Sequence, residues 1–292
     1  MKLKKAIERT MQALFFACGM TAVAATLLIS VYLVLAGLPA IREIGLVNFL
    51  FGTVWKSTAK TPEFGILPFI LTSVYGTFGA IVIGVPVGLL TAVFLAKLAP
   101  PKLANPMRSA VSLLAGIPSV VYGLVGMMYL VPLVAKMFKL TNGASLFAAI
   151  LVLAVMILPG IVSVSETALR AVPPEYAAAS LALGATPIET IFKVEIPAAK
   201  SGIAAGIVLG IGRAVGEAMA VMMVAGNVAN MPDLFKSVTF LTTAVSKEMS
   251  YASGLQKQAL FSIALVLFCF MMLLNFVLHF CINKGEGNES KS

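Results

Sequence analysis

The sequence predicts an all-α, polytopic membrane protein with six transmembrane helices. Two observations carry this. Of 292 residues, 60% are hydrophobic and only 11% are charged, with a mean hydropathy of +1.00. A water-soluble domain cannot hide that much apolar surface. In addition, apolar runs of about 20 residues, enough to cross a bilayer core ~30 Å thick, recur along the chain. They fall at about 13–38, 66–95, 109–135, 144–165, 203–228 and 258–282. Helices are the spanning form expected, because backbone polar groups in lipid must be satisfied within the segment.

The first run follows a basic start, MKLKKAIERTMQ. It is too long for the apolar region of a signal peptide and reads as an uncleaved helix. Lys2, Lys4, Lys5 and Arg9 place that start in the cytoplasm, and an even number of spans returns the C-terminus to the same side. The segment after the first span contains NFLFGTVW, whose Phe49, Phe51 and Trp55 suggest a short piece lying on the membrane surface. Residues 1–64 therefore read as an N-terminal helix with an external loop, and 65–283 as a five-helix core. Pro86, Pro118 and Pro159 lie inside spans and predict kinks there. The polar tail 284–292 reads as disordered. Cys18, Cys269 and Cys281 lie in or beside apolar runs without metal-ligand spacing, and His279 sits at the end of the last span as an interfacial side chain.

The inside segment between spans four and five, 171–201, is more than a connection. PPEYAAASLALG opens with prolines suited to a helix start and is rich in Ala and Leu. Gly184 breaks it, and PIETIFKVEI forms a second short helix from Pro187, stopping before Pro197. The segment reads as a cytoplasmic elbow.

Span five carries Arg213 and Glu217. Counted from Gly202 at ~1.5 Å per residue, Arg213 lies about 16 Å deep, close to the midplane of a ~30 Å core. A charge there costs at least ~2.5–3.5 kcal/mol on insertion scales and is functional by default. At ~100° per residue, Gly206, Gly210, Arg213 and Glu217 fall within about 60° of one another. Gly206–Gly210 and Gly212–Gly216 are spaced to let helices approach closely. Glu217, four residues after Arg213, is expected to pair with it. Such a pair can lock helices together, or it can place a guanidinium on a translocation path, where its planar donors suit an oxyanion. The two readings are compatible.

Other classes lose support. The +9 net charge is spread through loops and ends, so nothing suggests nucleic acid. An intramembrane enzyme needs paired acids, Ser/His or metal ligands in its spans, but Asp233, the sole Asp, lies in a loop. A passive channel does not need the elbow. No phosphate-cradling GxxxxGK[ST] occurs, so any ATP-driven step requires another chain, and no cofactor is expected here.

The elbow resembles the EAA loop of permeases in ABC importers. Gly184 is followed, nine residues later, by Val194, Glu195, Ile196 and Pro197, which match the second half of that motif. The triplet itself is Ala178, Ala179, Ser180, with Ala where the family carries Glu. Further stretches are similar to the PstC family of phosphate-specific permeases. They are FLFGTVW, FGILPF, AGIPSVVYGLVG (Ala115–Gly126), LPGIVSVSETALRAVPPEY (Leu158–Tyr176), LALGAT and GRAVGEAMAVMMVAGN (Gly212–Asn227). Sulfate and molybdate permeases share the Arg–Ala–x–Gly–Glu element, while its continuation and GIPSVVYG favour phosphate. The resemblance implies a type I ABC importer permease fold in a bacterial inner membrane. It also implies four partners: a PstA-like second permease, a PstB-like ATPase dimer that consumes the ATP, a PstS-like phosphate-binding protein, and membrane lipid. It makes Arg213 and Glu217 residues of the substrate pathway, with Ser119 and Tyr122, next to the Pro118 kink, as further candidates for the path or for helix packing. It makes Ala178, Ala179, Ser180, Gly184, Ala185, Thr186 and Pro197 the ATPase-coupling turn.

Overall fold

The computed structural model describes residues 2–287. The chain is helical almost throughout, and the helices follow the apolar runs. The first, α1 (Lys2–Ile44), carries mostly exposed apolar side chains, as a helix bathed in lipid should. The short α2 (Leu46–Phe51) leads to a two-stranded antiparallel hairpin, β1 (Trp55–Lys56) and β2 (Glu63–Phe64). The long α3 (Leu67–Val93) tolerates Pro86 and continues as a π-helical turn to Leu98. Next come α4 (Pro101–Gly116) and α5 (Ser119–Val125), which runs through a π-helical turn into α6 (Val131–Phe138). The longest well-buried helix is α7 (Leu146–Ala171), with Pro159 inside it.

The elbow follows as α8 (Pro174–Ala182), α9 (Pro187–Thr190), a π-helical turn and α10 (Ile196–Ala198). After a 72° bend comes α11 (Lys200–Gly216), then α12 (Met219–Val224), α13 (Leu241–Glu248) and α14 (Gly254–Gly287). Five helical stretches are long and apolar enough to span a membrane, and the bent pair ending in α11 makes a sixth.

Four expectations need correction. The third span does not run through Pro118. The chain is extended at Ile117 and Pro118, so α4 ends there and the span is Ser119–Phe138. A proline disfavours helix at the residue before it, and here that breaks the helix outright. The fifth span, expected over 203–228, ends at Gly216. The second elbow helix does not stop before Pro197, which sits in the first turn of α10, where its missing N–H costs nothing. Finally, Phe49 and Trp55 do not present their rings outward as an interfacial anchor would. They pack with Phe64, Ile66, Phe69, Leu241, Leu260 and Ile263 in a compact cluster, leaving only Phe51 exposed. The Trp55 indole donates to Glu248 Oε1 (3.1 Å), whose other oxygen accepts from Ser57 (2.8 Å) and Gln256 (3.0 Å). This ties the hairpin to α13 and α14. Residues 288–292 of the expected tail and the side chains of His279 and Cys281 lie outside the described residues; α14 itself runs on to Gly287.

The bundle is organised about α7. Glycines of α3 admit its side chains: a Cβ at Gly84 would meet Ile157 at 2.7 Å, and one at Gly88 would meet Ile161 at 2.9 Å. From the other side, a Cβ at Gly206 or Gly210 of α11 would meet Val164 at 3.2 Å or Ile161 at 2.9 Å. The first glycine pair therefore does what its spacing suggests, letting α11 lie close on α7. A Cβ on Gly212 or Gly216 would meet no other part of the described residues within 4 Å, which leaves a bare strip of helix. A third apolar cluster, of Ala92, Val93, Leu169, Ile191, Ala199 and Ile203, joins the elbow to the ends of α3, α7 and α11. α1 rests on α14, where Ser262 Oγ donates to the Gly37 carbonyl (2.6 Å).

Candidate substrate pathway and coupling elbow

The region around Arg213 is built on a helix break. At Glu217 the backbone is extended (φ −74°, ψ 124°), so α11 ends one residue earlier. The first N–H groups of α12 then need acceptors. The Glu217 carboxylate supplies one, with Oε1 accepting from Ala220 N–H (3.0 Å). The Glu217 carbonyl accepts from the Thr242 hydroxyl (2.8 Å), so α13 holds the break open.

Glu217 therefore does not pair with Arg213, as i,i+4 spacing in one helix would require. Arg213 is half-buried and makes no hydrogen bond or ion pair among the described residues.

α12 is pressed against α5. A Cβ on Gly123 would meet Ala220 Cα at 2.8 Å and Met223 Sδ at 2.8 Å. This contact brings α5 at Gly123, next to Tyr122, against α12 just beyond the break. The Tyr122 hydroxyl donates to the Leu114 carbonyl (2.7 Å), bridging the gap that Pro118 opens between α4 and α5, and lies within electrostatic reach of Arg213. Ser119 opens α5 three residues earlier, half-buried, with no side-chain hydrogen bond among the described residues. Beyond α12 the chain turns through Gly226 (φ +84°) and Asn227 (φ +55°). Asn227 Nδ2 donates to Met222 O (2.6 Å) and closes the far end of the short helix.

The elbow forms a second candidate site. Gly184 takes φ +89°, a left-handed conformation that favours glycine, and so reverses the chain after α8. Thr186 and Glu189 form a capping box at the start of α9: Glu189 N–H donates to Thr186 Oγ1 (3.3 Å), and Thr186 N–H donates to Glu189 Oε2 (3.0 Å). The Thr186 backbone bond, then its hydroxyl and Lys193, hold the Glu189 carboxyl down at about 2. Ser180 and Thr190 hydroxyls share a 2.9 Å hydrogen bond that ties α8 to α9. Ala178 and Ala179 are exposed on α8, and Ala185 is half-buried behind Gly184.

A concavity of about 690 Å³ is lined by Tyr176, Ala179, Ser180, Leu183, Gly184 and Lys193, among others. Leu183 is 90% exposed at its rim, with Ile188 and Phe192 exposed nearby. Pro197 lies away from this rim, at the bend into α11. The elbow is also anchored by a bond the sequence did not suggest, Lys97–Glu195 (2.7 Å), to the end of α3. Its members are 98 residues apart, and no local spacing announces it.

Comparison with known proteins agrees with this architecture. The family described as "Binding-protein-dependent transport system inner membrane component" matches residues 84–283. A probable ABC transporter permease protein of Bacillus subtilis, YqgH, is 37% identical over 270 residues, covering 89% of this chain and 87% of its own. The phosphate transport system permease protein PstC of Pasteurella multocida is 34% identical, with 84% and 82% covered. PstC of Haemophilus influenzae is 33% identical, with 91% and 90% covered. Among solved structures, the inward-facing MetNI methionine ABC transporter gives a TM-score of 0.60 at 21% identity, covering 75% of this chain and 95% of that one. A bacterial alginate ABC transporter, crystallised with an alginate-bound periplasmic protein, gives 0.62 at 14% identity, covering 100% and 99%. These two speak for the fold. The chain belongs to the family of binding-protein-dependent transport system inner membrane components, as a multi-pass permease component of an ABC importer.

Proposed function

We propose that this chain is the permease subunit of an ATP-driven phosphate importer and forms half of its translocation pathway. The observation that carries the reading is Arg213: half-buried three residues before the end of α11, beside a helix break, and without a counter-ion among the described residues. A planar guanidinium offers paired donors to a phosphate oxyanion. Tyr122 stands within its electrostatic reach. The Glu217 carboxylate, which caps α12 beside the break, adds a negative charge four residues from Arg213, which limits how tightly an anion is held and so lets it leave. Ser119 is a further polar group at the mouth of α5. The phosphate permease relatives support this choice of oxyanion.

The bare glycine strip of α11, Gly212 and Gly216, suits close packing by a second permease of similar fold. Such a partner completes the pathway. The exposed Leu183, Ile188 and Phe192 around the Gly184 turn suit insertion into a groove of a separate ATPase dimer on the cytoplasmic side. ATP binding closes that dimer and moves the elbow. The 72° bend then passes the movement to α11 and Arg213. An extracytoplasmic phosphate-binding protein delivers substrate at the opposite end.

The test is phosphate uptake by the assembled transporter carrying Arg213→Ala. Loss of one charge-assisted bidentate contact, ~1.5–3 kcal/mol, lowers uptake by about tenfold or more while the complex still assembles. Unchanged phosphate uptake, or sulfate imported in preference by the native complex, refutes the reading.

A further inference from the structure

A polar pocket away from the pathway remains unassigned. Glu166 of α7 is buried, yet two arginines converge on it: Arg108 of α4 through Nε, and Arg170 one turn further along α7 through Nε at 2.9 Å. Both guanidinium groups also donate through Nη2 to the Leu95 carbonyl, at 3.1 and 3.2 Å. Arg108 Nη1 donates to Asn105 Oδ1 (2.9 Å).

Two positive charges thus share one carboxylate, and the cluster keeps a net charge of +1. A guanidinium has about five N–H donors. Arg108 uses three here and Arg170 two, so roughly half of the donors remain unspent. They border an open cavity of about 330 Å³ that Ser112, Ser163 and Thr167 also line. The Thr167 hydroxyl is used locally, donating to the Ser163 carbonyl, whereas those of Ser112 and Ser163 make no hydrogen bond among the described residues. The pocket lies at the elbow-bearing end of the bundle, since Arg170 is the residue from which α7 passes into the elbow.

We infer that this pocket binds a phosphate group, held by the spare donors of Arg108 and Arg170 and by the Ser112 and Ser163 hydroxyls. Fork-shaped donors with a surplus positive charge fit a phosphate monoanion or the phosphodiester of a lipid headgroup. One arginine suffices to pair one carboxylate, and the second leaves a positive charge that no acidic side chain among the described residues neutralises. The inference rests on the pocket alone, and uptake is not its readout. It and the transport reading therefore fail separately.

The test uses the assembled transporter in the Arg213→Ala background, so that the proposed pathway contact does not contribute. Inorganic phosphate binding is titrated in phosphatidylcholine nanodiscs. Retained phosphatidylglycerol is read by native mass spectrometry after extraction from mixed phosphatidylcholine–phosphatidylglycerol vesicles. Arg170→Gln leaves Glu166 paired with Arg108 and is expected to weaken one of these probes by about tenfold. A loss confined to phosphatidylglycerol identifies the lipid headgroup as the source, and a loss confined to inorganic phosphate identifies the free anion. Ser163→Trp fills the pocket while keeping Arg108, Glu166 and Arg170 themselves and is expected to give the same loss. If native protein and both variants bind the two probes alike, the inference is overturned.

Discussion

Glu217 distinguishes two ways of building the pathway, and conservative replacement separates them. In the structure its Oε1 accepts from the Ala220 N–H at 3.0 Å and so caps α12. Glutamine keeps an acceptor oxygen at that position and removes the charge. Alanine removes both. An N-cap is worth ~0.5–2 kcal/mol, and a neutral acceptor keeps about half the strength of an ionised one. If capping is the dominant role, Glu217→Gln loses at most ~1 kcal/mol and keeps most of its uptake, while Glu217→Ala loses the full cap. The Thr242 hydroxyl bond to the Glu217 carbonyl survives in both, so the break itself persists. The assay pairs phosphate uptake in a strain lacking its own permease with the thermal midpoint of the purified complex. Glu217→Gln as defective as Glu217→Ala in both readouts refutes the cap and restores the carboxylate charge as the feature that matters.

Two further predictions follow from close geometry. Gly123→Ala places a Cβ 2.8 Å from Ala220 Cα, and ordinary contact begins at 3.4 Å, so α12 must retreat by about 0.6 Å. Overpacking against backbone costs ~1–3 kcal/mol, and the thermal midpoint and uptake are expected to fall together; native behaviour of both contradicts the packing. At the elbow, the Glu189 carboxyl is depressed to about 2 from an ordinary 4.5. Its contribution is fully present above 4.5 and lost as pH falls towards 2, so amide exchange of residues 186–190, corrected for intrinsic rate, is expected to be equal at pH 6 and pH 8. Thr186→Ala removes the cap and speeds that exchange about fivefold, equivalent to ~1 kcal/mol. Exchange unaffected by the substitution excludes the capping box.

Much of the fold was legible because lipid makes local sequence speak for global structure. Runs at 66–95 and 144–165 had to be helices, and Pro86 and Pro159 could sit inside them. The Gly184 turn was legible too, since a positive φ there leaves a local mark, the glycine itself. What escaped was set by partners distant in sequence. Arg213 and Glu217 fit a continuous helix as well as a broken one. The break depends on Thr242, 25 residues further on. The burial of Trp55 depends on Glu248, 193 residues away. The Arg108–Glu166 pair joins separate helices, and the one local hint was the i,i+4 spacing of Glu166 and Arg170.

The break at Glu217 changes what α11 can do. A continuous helix carrying a neutralised pair would be a rigid post. As built, α11 is hinged at both ends: a 72° bend joins it to the elbow, and extended backbone joins it to α12. Between them it packs closely on α7 through Gly206 and Gly210, with Arg213 three residues from its C-terminal end. On the proposed reading, a small rotation at the elbow would reach the guanidinium through α11, while α5 and α13 hold α12 in place. A cation that moved beside a fixed wall in this way would suit the alternating access proposed above. It follows from ending one helix a residue before its acid.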